Sequence, residues 1–329
     1  DKRGEVGQFI LTGSTTPILD HQISHTGSGR ISRIKMRPMS LFESNESNGE
    51  FSLQNLFEGQ VTSGALSKLE IEDIAKVIVR GGWPASVNSS PEIGFKRAQD
   101  YVESDINFDV SAVDDIKKNP QKMTSLLKSY SRNISTEANA SVLIKDVEGG
   151  ENDSITRPTL NSYLNALQRL FVVEDLEAWN PSIRSSTVLR SSPKRHFVDP
   201  SIATTTLGIN HERLLQDFNT FGFLVESLCI RDLRVYAESL GGNVYHYRDK
   251  SGLECDAVIV LKDGRWGAVE IKLGTHEFDK AANNLIKFSE NIDTRKTNKP
   301  SFLMILTGSK NGYTRDDGVI VVPIGCLKD

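Results

Sequence analysis

Two runs of alternating character stand out late in the chain. Leu253–Leu261 reads Leu-Glu-Cys-Asp-Ala-Val-Ile-Val-Leu, and Trp266–Leu273 reads Trp-Gly-Ala-Val-Glu-Ile-Lys-Leu. Short apolar, β-branched runs bounded by turn residues predict strands, and Lys262-Asp263-Gly264-Arg265 between them predicts a hairpin turn. Successive strand side chains face opposite ways, so Glu254, Asp256 and Val258 share one face, and Ala268, Glu270 and Lys272 share one face of the partner strand. The simplest register that joins the acidic faces sets Asp256 across from Glu270 and Glu254 across from Lys272. It closes on the loop Lys262–Gly264, with Gly264 free to take positive φ. Like charges directly opposed destabilise a sheet. Asp256 and Glu270 therefore call for a cation, a shared proton or a neighbouring base. A divalent metal is one answer, with Lys272 as a second positive charge.

The flanking patterns extend the picture. A helical stretch from about His211 to Leu240 carries Glu226, with Gly222 one turn earlier to permit close approach. Then come a strand Val244–Arg248, the hairpin, a helix of about Phe278–Glu290, and strands Ser301–Thr307 and Val319–Pro323: the order α-β-β-β-α-β. Upstream, Met123–Arg132 and Thr136–Val147 read as helices, the second capped by Ser135. Thr156-Arg157-Pro158-Thr159 opens a third, with proline in the first turn and Leu160, Leu164, Leu167 and Phe171 as its apolar stripe. Val172–Trp179 reads as a strand, completing the order of a winged helix-turn-helix. Leu66–Arg80 is a helix stopped by Gly81-Gly82-Trp83-Pro84, with Trp83 a packing residue at a hinge. Gly7–Thr16 reads as a short buried strand ending in a hydroxyl-rich turn, one member of a parallel sheet whose other strands come from elsewhere. The polar break Asn45–Gly49 and the reversal at Asp199-Pro200 divide the chain into 1–44, 45–118, 119–200 and 201–329.

Composition narrows the classes. With 38% hydrophobic and 25% charged residues among 329, the chain is an ordinary globular α/β multidomain protein. A net charge of −4 gives no overall drive toward nucleic acid, so any DNA contact needs a local patch. The candidate patch is Arg184, Arg190, Lys194 and Arg195, with no acidic residue between Pro181 and Val198, joined by Arg157, Thr159, Asn161, Ser162 and Asn165 on the third helix. Winged helices also serve as protein-interaction modules. Cys229, Cys255 and Cys326 are too dispersed for a disulfide framework or a zinc site and fit a reducing cytoplasm. No apolar run reaches transmembrane length, so no membrane association is expected. The sequence opens at Asp1 rather than Met and reads as a fragment or processed product.

Asp256 followed by Glu270-x-Lys272, within that element order, resembles the signature of the PD-(D/E)XK, restriction-endonuclease-like nucleases. The resemblance implies a Mg²⁺ site on Asp256 and Glu270, with Glu226 as a further ligand and Lys272 as a catalytic group. A second resemblance covers nearly the whole chain. Phe9-Ile10-Leu11-Thr12-Gly13-Ser14, Gly29-Arg30, Pro38-Met39-Ser40-Leu41-Phe42-Glu43, Gly81-Gly82-Trp83-Pro84, Ser192–Asp199 and Arg315-Asp316-Asp317-Gly318-Val319 are similar to segments of an AAA-like bacterial and archaeal ATPase family. That family carries a C-terminal domain of unknown function likened to the nuclease fold. The likeness makes the N-terminal segment the remnant of a parallel-sheet ATPase domain. It implies Thr12 or Ser14 as a nucleotide-sensing polar group and Arg30 as a phosphate-sensing arginine. The phosphate loop G-x-x-x-x-G-K-[ST] does not occur, so ATP is expected only with an N-terminal ATPase segment or a partner subunit that supplies it. Three readings follow: an incomplete AAA-family ATP-binding protein with a DNA-directed C-terminal region, a Mg²⁺-dependent deoxyribonuclease, or a non-catalytic interaction scaffold.

Overall fold

The computed structural model describes residues 7, 9–14, 32–106, 118–148, 155–181, 192–295 and 297–329. The elements run β1 (Phe51–Ser52), α1 (Leu53–Phe57), β2 (Ala65–Leu66), α2 (Ile71–Arg80), α3 (Pro84–Val87), α4 (Pro91–Asp100), α5 (Pro120–Arg132), α6 (Ala140–Val147), α7 (Arg157–Arg169), α8 (Ser201–Leu207), α9 (His211–Leu214), α10 (Phe218–Ser239), β3 (Asn243–Arg248), β4 (Glu254–Val260), β5 (Trp266–Lys272), α11 (Phe278–Asn291), β6 (Leu303–Thr307), β7 (Asn311–Thr314), β8 (Ile320–Pro323) and β9 (Leu327–Lys328). The fold is α/β with a mixed sheet. Its seven strands lie in the order β2-β7-β8-β6-β5-β4-β3, and β1 pairs separately with β9. The hairpin strands are antiparallel to each other, whereas β5, β6 and β8 are parallel.

Alternation along the strands gives the sheet two dry faces. Ala257, Ile259, Val269, Ile271 and Leu306 face the large cluster that includes Leu224, Val225 and Leu228 of α10. Val258, Trp266, Ala268 and Ile305 face a smaller cluster built on Phe278, Ala281, Leu285 and Phe288 of α11. The large cluster also takes in Leu41, Ile74, Leu126, Leu143 and Leu160, so one core crosses the boundaries expected near 44, 118 and 200.

Local chemistry explains the helix ends. Glu70 and Asp73 form a reciprocal capping box at the start of α2. Thr156 caps α7, whose first turn holds Pro158. Leu66 belongs to β2 rather than to α2, which is shorter than expected. Pro84 opens α3 instead of only ending what precedes it, because proline costs nothing in a first helical turn. The cap of α6 is Asn139, not Ser135. Ser135 sits at positive φ and its hydroxyl donates to the Phe223 carbonyl. Val172–Trp179 pairs through isolated bridges, Val173 with Phe197 and Leu176 with Lys194, rather than as a regular strand. Trp83 packs as expected, donating from its indole N–H to Ser201 at 2.9 Å and lying against Tyr101.

The N-terminal segment finds no partner strand among the described residues. Phe9, Ile10 and Leu11 are 84%, 90% and 85% exposed and form no strand, because no described segment offers them a backbone ladder. Further on, residues 37–42 dock on α10. The Leu41 N–H donates to Asp232 at 3.0 Å, and Arg37 reaches Glu238 at 3.0 Å. Beneath them lies a buried ionic network in which Arg231 reaches Asp199 at 2.9 Å and Asp232 at 2.7 Å. Asp199 also accepts from the Gly82 and Ser201 N–H groups. Gly82 is required by close approach, since a Cβ there would lie 2.3 Å from the Met39 carbonyl oxygen.

Candidate functional site

The β4–β5 hairpin has the register that alternation predicts. Ala257 lies across from Val269 and Val258 from Ala268, with Leu261 and Arg265 closing the loop and Gly264 at φ 86°. The other edge of β4 breaks the pattern. Tyr245 pairs with Val258, but Tyr247 pairs with Cys255, so β4 carries one extra residue there. Such a bulge turns side chains out of alternation. Cys255 joins the α11 face along with Val258. Glu254, expected opposite Lys272, instead pairs with Arg248 at 3.0 Å. Asp256 is left at the bulge, where it serves neither dry face.

Asp256 is therefore the centre of a charge cluster. Its Oδ2 accepts from the Ile271 backbone N–H at 2.9 Å and from Lys272 Nζ at 3.3 Å. Its Oδ1 accepts from Lys194 Nζ at 3.3 Å. Lys194 also reaches Glu226 Oε1 on α10 at 2.8 Å, and Lys272 reaches Glu270 Oε2 at 2.9 Å. Asn284 of α11 fixes the far side of Glu270, donating to its Oε1 at 2.8 Å and to the Glu254 carbonyl at 2.7 Å. Three carboxylates and two ammonium groups thus alternate along one line: Glu226, Lys194, Asp256, Lys272, Glu270.

Burial acts against every charge in this line, and neighbours decide the outcome. Burial works against the Asp256 carboxylate, but Lys194, Lys272 and the Ile271 N–H hold its pKa well below the usual range. Burial pushes Glu270 up, and Asp256 adds to the shift. Burial also pushes Glu226 up to about 7, since Lys194 divides its charge between two carboxylates and offsets the cost only in part. Both lysines are desolvated, yet their paired carboxylates raise their pKa values, so both stay charged.

Two members of the expected basic patch are corrected here. Lys194 and Arg195 are only 7% and 8% exposed. Lys194 serves the carboxylate line, while Arg195 pairs with Asp175 and donates to the Ala138 carbonyl. Arg157 is exposed at the start of α7. Arg30, Arg184 and Arg190 lie outside the described residues. Thr12 and Ser14 are exposed, with no strand to present them. Gly222 faces open space rather than a close neighbour. His276 is exposed and apart from the cluster. His246 is fully buried, and its Nε2 lies 3.2 Å from the Ser192 carbonyl.

Two residues of the site escape sequence reasoning. Lys194 is disguised as part of a basic run. Asn284 leaves a faint signal, a polar residue on the same helical stripe as Ala281, Leu285 and Phe288.

The buried titratable groups make opposite demands on stability. Glu226 binds its proton more tightly in the folded chain, about 7 against an ordinary 4.5. Its contribution is present below pH 4.5 and is lost as pH rises toward 7. Burial lowers His246 from 6.5 to about 4, so its contribution is present above 6.5 and is lost as pH falls toward 4. Between pH 5 and 7 the two offset each other. Glu226→Gln removes one side of the balance. The melting temperature of that variant is expected to fall more steeply than the wild type's on acidification from pH 7 to 5. Parallel curves would show that Glu226 does not carry the shifted proton.

Fold and site together define an α/β protein whose mixed sheet gathers three carboxylates and two lysines at one end of its central hairpin. Residues 71–213 match the family model described as Domain of unknown function (DUF8612). Residues 221–327 match Domain of unknown function (DUF4143), a domain found in AAA-like ATPase-associated proteins. No curated protein and no solved structure matches the chain. Glu226, Asp256, Glu270, Lys272 and Asn284 fall in the second match, and Lys194 in the first. Among the described residues, no helix is long and apolar enough to cross a membrane.

Proposed function

We propose that this chain carries a DNA-cleaving site of the restriction-endonuclease-like type within an AAA-like ATPase-associated protein. The observation that supports this reading most is the convergence of Asp256, Glu270 and Lys272 from adjacent strands, with Lys272 Nζ 3.3 Å and 2.9 Å from the two carboxylates. The order α10-β3-β4-β5-α11-β6 agrees with it.

The donor chemistry suits Mg²⁺, which takes one or two carboxylates together with water and substrate phosphate. As they stand, no three His, Cys, Asp or Glu side chains among the described residues surround a single metal position. The carboxylate oxygens instead surround two ammonium groups, which stand in for a cation. Asp256 and Glu270 would hold the metal, with Glu226 next in reach. When bound, Mg²⁺ acidifies water and polarises the scissile phosphate. Lys272 contributes positive charge where the pentavalent phosphate gains negative charge. The Ile271 N–H and Asn284 orient the two carboxylates. ATP binding belongs with a phosphate loop supplied by another segment or subunit.

Linear, circular and single-stranded DNA, each incubated with the purified chain in Mg²⁺, Mn²⁺ or EDTA, test the reading. Cutting is expected that needs metal, stops in EDTA and disappears in Asp256→Asn. A folded wild-type chain that leaves all three substrates intact would overturn it in favour of a scaffold held together by the ion-paired line.

A further inference from the structure

Lys194 is the one member of the charged line that does not come from the α-β-β-β-α-β unit. It reaches the site from the segment that follows the third helix of the α5–α7 group. Its backbone is fixed by a reciprocal pair of hydrogen bonds with Leu176, both 2.9 Å, so the fold itself places the ammonium. That ammonium sits between Glu226 Oε1 and Asp256 Oδ1. The other oxygen of Asp256 is already taken by the Ile271 N–H and Lys272. The Asp256 oxygen left to face Glu226 is thus the one that Lys194 covers.

We propose that Lys194 is a built-in cation that competes with a divalent metal for the carboxylates of Glu226 and Asp256, and so weakens metal binding in the resting chain. This rests on the reading of the line as a metal-dependent nuclease site. Three carboxylates drawn this close need positive charge whether or not a metal is present. Lys194 supplies it, with Nζ 2.8 Å from Glu226 Oε1 and 3.3 Å from Asp256 Oδ1. For Glu226 and Asp256 to hold a divalent ion together, the ammonium between them would have to be displaced; otherwise Asp256 and Glu270 alone would hold it. The role is one of positioning and competition. Lys194 would reach substrate only if the segment carrying it moved.

The test is Mn²⁺ binding by calorimetry to the full chain, comparing wild type, Lys194→Met and Lys194→Arg. Lys194→Met keeps the length of the side chain and removes its charge. It is expected to bind Mn²⁺ at least about tenfold more tightly than wild type, as removal of one competing charge at contact distance requires. Lys194→Arg keeps the charge and is expected to remain weak. The gain should vanish when Asp256→Asn is added to Lys194→Met. Affinity in Lys194→Met equal to or below wild type overturns the proposal. If that variant does not fold without metal, millimolar Mn²⁺ is expected to restore a cooperative melt by circular dichroism, and failure of that rescue overturns it equally. The two readings fail separately. Tighter Mn²⁺ binding with no DNA cut by any variant removes the nuclease and leaves the competition. Metal-dependent cutting by a wild type whose Mn²⁺ affinity Lys194→Met does not improve removes the competition and leaves the nuclease.

Discussion

Lys272→Met is expected to slow metal-dependent DNA cleavage by about 10²–10³-fold, the usual loss when one positioned donor to a developing charge is removed. Its Mn²⁺ affinity is expected to stay level or rise while turnover falls. The reason lies in the geometry. Lys272 touches both Asp256 and Glu270 but is not an oxygen donor to a metal, so its removal takes charge from the reaction rather than ligands from the ion. The Ile271 N–H still orients Asp256, and Asn284 still orients Glu270. Single-turnover cleavage and calorimetric titration on the same preparation separate the two quantities. Equal losses in both would make Lys272 a structural clamp instead of a catalytic group.

Asp199→Ala is expected to lower stability by about 3–5 kcal/mol, the cost of removing one partner of a buried pair and leaving the other charge uncompensated. Arg231 and Asp199 are both almost wholly buried, with 1% and 0% of their side chains exposed. The Gly82 and Ser201 N–H groups lose their acceptor at the same time. Asp232 stays beside Arg231 and accepts the Leu41 N–H, which keeps the loss within that range. Urea unfolding of wild type and variant gives the difference directly. A change under about 1 kcal/mol, the scale of an exposed ion pair, would mean that Arg231 finds water once Asp199 is gone.

The hairpin was legible because two independent signals agree on it. Alternation fixes which side chains share a face, and Asp263-Gly264 fixes where the strands turn. Nothing local announces the bulge in β4, which exists only in the pairing of Tyr245 and Tyr247 with Val258 and Cys255. The bulge separates Glu254 from Lys272 and leaves Asp256 at the cluster. Lys194 and Arg195 illustrate a second limit. A basic run without acidic neighbours reads as an exposed patch for DNA, but the acids that bury these two are Glu226, Asp256 and Asp175, brought in by tertiary structure. Phe9–Leu11 illustrates a third. Its apolar sequence describes what a strand needs from its own residues, and the partner strands that reading calls for are not among the described residues.

The aromatic packing beside the hairpin has an optical consequence. The chain holds three tryptophans. Two of them, Trp179 and Trp266, lie with ring centroids 4.8 Å apart, one on the segment that also bears the Leu176–Lys194 bridge and the other on β5. Indoles this close quench and shift one another's emission, and the effect fades steeply with separation. The native fluorescence of the chain is therefore a gauge of whether that segment is seated on the sheet, readable without a label in the same cuvette as a metal titration.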